Sequence, residues 1–293
     1  MALEFCVLAS GSAGNATLLR ADGQCALIDA GIGPRATDKR MTGTGIAIAD
    51  IRAICLTHLD SDHFSPAWLS SICRQEIKVY CPERHAKDLR RLARQQKLLK
   101  PLQPLITSFG TEPFNIFPEV HCRTLRLPHD RQGSQGFVFE YRGSRLGFAT
   151  DLGRVPVELI DLFAGVDLLA MESNYDPDMQ LASRRSDRVK KRIMGGRGHL
   201  SNEEAFEAVQ DILDLTEARL GAGKWPRHLV LLHRSRQCNS PAIVQRLFRQ
   251  DPRLAPILTL AHQNQRTEWL SSERRQALPG EQLGLFELPP AIG

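Results

Sequence analysis

The chain has 293 residues, 42% apolar and 24% charged, and its 38 Lys and Arg against 33 Asp and Glu leave a net charge of +5. A chain of this length buries roughly three quarters of its unfolded surface, so it needs no disulfides to hold a core, and its composition excludes collagenous, coiled-coil and wholly disordered proteins. No stretch reaches the ~18 unbroken apolar residues of a membrane span, and the opening MALEFCVLASGSAGN meets Ser-Gly-Ser too early for a secretory signal, so a cytoplasmic location is expected.

Short runs rich in Val, Ile, Leu and Phe, bounded by Gly, Asp and Asn, predict strands at FCVLAS, CALIDAG, AICLTH, KVYC, GFVFEY, RLGFATD, LLAMES and HLVLLH. Between them, PAWLSSICRQ, ERHAKDLRRLARQQKLL, VELIDLF, NEEAFEAVQDILDL and SPAIVQRLFRQ predict helices. The alternation describes one α/β domain over residues 1–267, followed by a flexible tail over 268–293 rich in Gly, Pro and charge. Ser10, Ser12 and Asn15 read as a plain hairpin turn between the first two strands, with a substrate-contacting loop as the alternative. The seven cysteines (6, 25, 55, 73, 81, 122 and 238) form no CxxC pair and read as small buried hydrophobes.

Several strand ends carry a His or an Asp: Asp29 in LIDAG, His58 in ICLTH, His129 in LRLPH, Asp151 in GFATD and His233 in LVLLH. A lone rim residue of this kind is more often structural than chemical, but five of ligand type point to a metal site. The sharpest element is Thr57-His58-Leu59-Asp60-Ser61-Asp62-His63, which sets four metal-capable side chains on one turn between a strand and a helix. Imidazole and carboxylate together suit zinc, manganese or iron.

This pattern resembles the metallo-β-lactamase superfamily, whose signature is HxHxDH followed by a His, an Asp and a final His. The resemblance spans residues 5 to about 240. It implies an αββα sandwich of two mixed sheets with helices on the outer faces and two divalent ions at one edge. Position by position, it places one ion on His58, Asp60 and His129 and the other on Asp62, His63 and His233, with Asp151 bridging. Asp29 would support the metal loop without ligating. The usual second His is Asp60 here, and the exchange of nitrogen for oxygen tilts that position from zinc toward manganese or magnesium, or weakens its occupancy.

Within the superfamily, Ser-Gly-Ser-Ala-Gly-Asn at 10–15 with LIDAG, ATDLG, MESNYD, GHLSNEEA and LLHRSRQCN resembles the YycJ/WalJ-type group, cousin to ribonuclease Z and the β-CASP nucleases. That resemblance implies a DNA exonuclease of repair or replication with a metal-bridged hydroxide as nucleophile. Asp62 would then serve catalysis, and Glu172 and His199 would act as an acid–histidine pair, Glu172 orienting His199 so that its protonated form serves the leaving oxygen. Ser201 or Asn202 also caps the helix that follows His199.

Charge placement fits a polyanion. Arg184, Arg185, Arg188, Lys190, Lys191, Arg192 and Arg197 face one anion, Asp187, in a segment expected to be a flexible substrate-binding loop. It lacks interleaved aromatics, so its contacts would be to phosphate. Arg154 either faces a phosphate or forms a surface salt bridge, and the basic stretch from Arg84 to Lys100 reads as a solvated helix face. In the tail, Gln282, Leu283, Leu285 and Phe286 of QLGLF resemble the pentapeptide that binds the bacterial sliding clamp. The expectation is a cytoplasmic two-metal phosphodiesterase, acting on DNA and tethered to the clamp. Two alternatives are a small-molecule ester, lactone or cyclic phosphodiester hydrolase of the same fold, and a non-catalytic DNA- or clamp-bound adaptor.

Overall fold

A computed structural model describes residues 2–273. Its first half builds one seven-stranded sheet from β1 (Glu4–Ala9), β2 (Ala16–Ala21), β3 (Gln24–Ile28), β4 (Ile51–Cys55), β5 (Lys78–Pro82) and β6 (Ile106–Phe109). The second sheet holds β7 (Phe114–Phe117), β8 (Val120–Leu127), β9 (Ser134–Tyr141), β10 (Ser144–Ala149), β11 (Leu168–Glu172), β12 (His228–Leu232) and β13 (Leu258–Leu260). A last strand, β14 (Leu270–Ser271), returns to the first sheet beside β1.

Both sheets follow the same plan. Antiparallel hairpins come first, then parallel strands joined through helices: β3 to β6 in one sheet and β10 to β13 in the other. Asp22-Gly23 and Arg142-Gly143 make the two-residue hairpins β2–β3 and β9–β10, with positive φ at all four residues, as the twist of paired strands requires.

The helices α1 (Pro34–Met41), α2 (Leu69–Gln75), α3 (Glu83–Gln95) and α4 (Leu99–Leu102) accompany the first sheet. With the second go α5 (Val157–Phe163), α6 (Pro177–Ala182), α7 (Asp187–Met194), α8 (Asn202–Leu220) and α9 (Pro241–Phe248). Helix α8 begins in a capping box, with Ser201 accepting from the Glu204 amide while the Glu204 side chain accepts from the Ser201 amide.

Three apolar clusters glue four layers. One lies between the sheets, around Phe5, Phe137, Phe139 and Tyr141. A second joins the first sheet to its helices around Trp68, Leu69 and Leu89, and a third joins the other sheet to α5, α8 and α9 around Phe163, Ile212 and Phe248. This is the expected αββα sandwich. All seven cysteines are free, and all but Cys73 are buried.

The structure departs from the sequence reading in three places. Chain pairing continues past residue 267: the Thr267 amide donates to the Val7 carbonyl and Leu270 sits opposite Phe5, because β1 would otherwise leave its edge open. Within the 184–197 segment, expected to be a flexible loop, Asp187–Met194 forms helix α7, a run free of Gly and Pro that Ser186 precedes and Gly195 ends. The basic 84–100 stretch breaks at Lys97, whose φ of 60° ends α3. The QLGLF segment lies outside the described residues.

The ring of Phe137 is fully buried between the sheets, edge-on to Phe109 and tilted against Phe139. Phe137→Ala is expected to cost about 3–5 kcal/mol of stability in urea unfolding; a loss below about 1 kcal/mol would mean that this face is not packed as described.

Candidate metal centre

Parallel strands deliver their carboxyl ends to one rim, and both sheets point that rim at the same place. Asp29 follows β3, His58 follows β4, Asp151 follows β10, Glu172 ends β11 and His233 follows β12. Asp29, Asp151 and His233 take left-handed backbone angles, with φ of 59°, 55° and 54°. Such a conformation costs of order 1–3 kcal/mol at a residue with a Cβ. It stops each strand abruptly and keeps the side chain at the rim.

The turn 57–63 is held from below. Asp29 accepts hydrogen bonds from the Thr57 amide (2.8 Å) and hydroxyl (2.8 Å), and its Oδ2 lies 2.7 Å from His63 Nδ1. Gly31 lets the turn come close: a Cβ there would stand 1.8 Å from the Asp62 carbonyl oxygen. The same carbonyl accepts from the Asn15 amide (2.7 Å) and side chain (3.1 Å), and Asn15 Nδ2 lies 3.0 Å from His63 Nε2. Ser10 Oγ accepts from the His233 amide at 2.7 Å. The turn 10–15 is therefore a brace beneath the site, beyond the plain hairpin expected of it.

All seven expected metal-capable residues come together. The ligand atoms of His58, Asp60 and His129 lie within 4.8 Å of one another, as do those of Asp62, His63 and His233, and those of His58, His63 and Asp151. Asp151 Oδ2 is 2.9 Å from His63 Nε2, while its Oδ1 is 3.7 Å from His233 Nε2 and 3.9 Å from His129 Nε2, so this carboxylate reaches both groups. His58 Nδ1 is 2.9 Å from the Thr57 hydroxyl, which leaves its Nε2 as the free nitrogen. That nitrogen is buried and has no hydrogen-bond partner among the described residues. An orphaned buried imidazole nitrogen, facing a set of N and O donors, fits a divalent cation. Asp60 differs from the rest: its side chain is 53% exposed and stands 3.7 Å from His58 Nε2 and 3.9 Å from His129 Nε2.

Electrostatics bind the cluster together. Burial pushes the His58 pKa well below the ordinary imidazole value, and the neighbouring His63 adds to the effect. Burial also works against charge on His63, His129 and His233, but carboxylates outweigh it. Asp151 and Asp29 hold His63 well above the usual range, Asp60 and Asp151 raise His129 to about 9, and Asp151 with Asp62 and Glu172 raises His233 to about 10. Burial would raise the pKa of Asp151 too, yet His233 and His63 hold it well below the carboxylate norm.

Glu172 and His199 sit against this cluster. Glu172 is fully buried; its Oε1 lies 2.8 Å from His199 Nδ1 and 3.2 Å from His233 Nδ1, and its Oε2 accepts from the Leu152 and Leu200 amides. Sequence reasoning missed Asn174, whose Nδ2 is 3.0 Å from His233 Nδ1, and Thr150, which donates to Asp151 Oδ2. It also missed His85, buried with its ring 6.4 Å from that of His58. Both Asn174, in MESN, and Thr150, in GFATD, adjoin quoted rim residues, which was the available signal.

A cleft of about 720 Å³ opens beside His58, Asp60 and His129, and Arg91, Arg131, Lys191, Arg192 and Arg197 lie on its walls. Only part of the expected basic segment is there. Arg185 is turned to Gln180, Ser235 and Gln237, Lys190 donates to the Leu181 carbonyl, and Arg184 and Arg188 are exposed away from the cleft wall. Arg91 comes from α3, so that helix is more than a solvated face; Arg84 on the same helix donates to the Ser134 carbonyl and Gln135.

Comparison with known proteins follows the same lines. The profile of the beta-lactamase superfamily domain matches residues 26–232. The chain is similar to exodeoxyribonuclease YycJ of Bacillus anthracis, 29% identical over 214 residues that cover 73% of this chain and 78% of that protein. It is also similar to exodeoxyribonuclease WalJ of Streptococcus pneumoniae, 24% identical over 212 residues that cover 70% and 75%. Among solved structures, the metallo-β-lactamase fold protein YhfI from Bacillus subtilis superposes with a TM-score of 0.64 at 14% identity, covering 91% of this chain and 99% of that one, a likeness of fold.

Metal binding should release protons. His129 and His233 hold a proton up to about pH 9 and 10 in the metal-free protein, and a ligating imidazole must give it up. Affinity for a divalent ion is therefore expected to rise with pH across the neutral range and fall as pH drops. Titration calorimetry in buffers of different ionisation enthalpy reads the released protons directly, and a binding heat independent of buffer would contradict these protonation states.

Proposed function

The chain belongs to the beta-lactamase superfamily, and we propose that it is a metal-dependent phosphodiesterase, a DNA exonuclease acting in repair or replication. The observation that carries this reading is the junction of the His/Asp cluster with a large cleft walled by cations. A small neutral ester has no use for five Lys and Arg at its threshold, whereas a phosphodiester chain does. The exodeoxyribonuclease relatives support the same substrate class.

In this reading His58, Asp60 and His129 hold one ion, Asp62, His63 and His233 the other, and Asp151 serves both. Divalent ions bound there would supply activation of water at neutral pH and neutralisation of charge on the phosphoryl oxygens. The exposed Asp60 carboxylate makes its position the harder of the two, better suited to manganese or magnesium than to zinc. Asp29 and Thr57 keep His63 and His58 turned to the ions.

The proton for the leaving oxygen falls to His199. Its side chain is 16% exposed, whereas the rings of His58, His63, His129 and His233 are almost wholly buried. Glu172 engages Nδ1, which leaves Nε2 to hold and pass on the proton. The Gln282–Phe286 segment would tether the enzyme to a sliding clamp, a partner supported by the sequence motif alone, and the cytoplasm is the compartment this role requires. Among the described residues, no helix is long and apolar enough to cross a membrane.

The test is nuclease activity on end-labelled linear DNA and RNA with manganese, magnesium or zinc supplied in turn. Metal-dependent mononucleotide release from DNA is expected, lost in Asp62→Ala and reduced by about 10²–10⁴-fold in kcat in His199→Ala. If neither nucleic acid were cut while a cyclic or aryl phosphodiester turned over, the enzyme would be a small-molecule hydrolase instead.

A further inference from the structure

Beside the large cleft lies a smaller pocket of about 200 Å³ whose lining includes four arginines, Arg126, Arg131, Arg154 and Arg197, all of them exposed. Asp130 is the one carboxylate on that wall among the described residues, and it leans toward Arg192 Nε at 3.9 Å. Arg126 donates to the Gln132 carbonyl at 3.3 Å, but no ion pair joins any of the four to a carboxylate among the described residues. Like charges gathered round one concavity repel, and an anion between them relieves that repulsion.

The gathering is built into the backbone. Gly153 N–H donates to the Pro128 carbonyl (2.7 Å), Asp130 N–H donates to the Arg197 carbonyl (2.7 Å), and His129 Nδ1 lies 2.8 Å from the Gly198 carbonyl. A Cβ on Gly153 would stand 2.3 Å from the Arg197 nitrogen, so the 153–154 and 196–197 segments touch main chain to main chain. The hydrogen bonds that aim His129 at the metal cluster thus also place Arg131, Arg154 and Arg197 round one space. His129, Asp130, Arg131, Gly133 and Arg197 line both this pocket and the large cleft, so whatever fills the small one continues into the other.

We propose that Arg126, Arg131, Arg154 and Arg197 form a phosphate subsite that grips one phosphate of the nucleic-acid strand next to the bond being cut. This rests on the nuclease reading above. Guanidinium forks match phosphate oxygens in pairs, and four of them suit one concentrated anion better than a base or a sugar. The phosphate comes either from the strand's terminus, as a monoester, or from its interior, as a diester. Fixing it would hold the reacting phosphate in register at the metal cluster.

The experiment measures binding of fluorescent single-stranded DNA to the full chain in chelator, where nothing is cut, over a range of salt. The oligonucleotides carry phosphate or hydroxyl at the 5′ or the 3′ end. Arg126→Gln/Arg154→Gln is compared with wild type and with Arg142→Gln, a surface charge change at the far turn of the β9–β10 hairpin; melting curves check that each variant is folded. The double variant should bind roughly tenfold more weakly, and the salt slope should shrink by about 0.7 for each phosphate no longer neutralised by an arginine. A wild-type preference for one phosphorylated end that vanishes in the double variant supports the terminal source. Uniform weakening for all ends supports the interior source. If the folded double variant binds like wild type, or no more weakly than Arg142→Gln, the subsite is overturned while the nuclease reading stands. If wild type binds no DNA at all, the subsite is overturned, and the nuclease reading is decided separately by cleavage with metal supplied.

Discussion

Three buried carboxylates govern this molecule. Asp29, Asp151 and Glu172 are removed from water at the ends of strands β3, β10 and β11. An unpaired buried carboxylate costs several kcal/mol, so each must gather donors, and the surrounding chain is arranged to provide them. Asp29 takes Thr57 and His63, Asp151 takes Thr150 and His63, and Glu172 takes two backbone amides with His199 and His233. The imidazoles are thereby oriented by groups behind them, and their remaining nitrogens are committed to one small volume. His58 Nε2, buried with no hydrogen-bond partner among the described residues, marks where that volume asks for a cation.

The compensation is two-sided. His63, His129 and His233 have raised pKa values because carboxylates surround them, and Asp151 has a lowered one because imidazoles do. In a cluster of this kind the atoms that form the ion pairs are the same atoms that would ligate a divalent ion. The strained strand ends at Asp29, Asp151 and His233 and the glycine at 31 are the structural counterpart: they bring backbone and side chains closer than relaxed strands would.

Outside the cluster the sign of the charge reverses. Acidic groups crowd the floor, while on the way in Arg91, Arg131, Lys191, Arg192 and Arg197 outnumber Asp88 and Asp130, with Arg91 paired to Asp88 at 3.1 Å. Such a gradient favours an anion at the mouth of the cleft over one at its floor. The loops that carry this change of sign are stitched to one another through backbone hydrogen bonds at 128–130, 153 and 197–198.

Much of the site was legible in the amino-acid order because strand ends are short-range features. The turn 57–63, Asp29, Asp151 and His233 declare themselves as ligand-type residues at the ends of apolar runs, and the αββα plan follows from the family they resemble. Strand β2 was passed over, and β6, β7, β13 and β14 are short and weakly patterned. Helix α7 was hidden because its charges look the same in a loop and on a solvated helix. Which cations line the cleft was decided by long-range packing: Arg91 reaches it from α3 while Arg185 is drawn off to Gln180. Likewise Ser10, Asn15 and Asn174 brace the site only because β1, β2 and β11 bring them there. Donor types and their strand-end positions follow from the amino-acid order, since these depend on residues close along the chain. The tertiary structure decided their partners and the shape of the cleft, because those depend on contacts between segments tens to hundreds of residues apart.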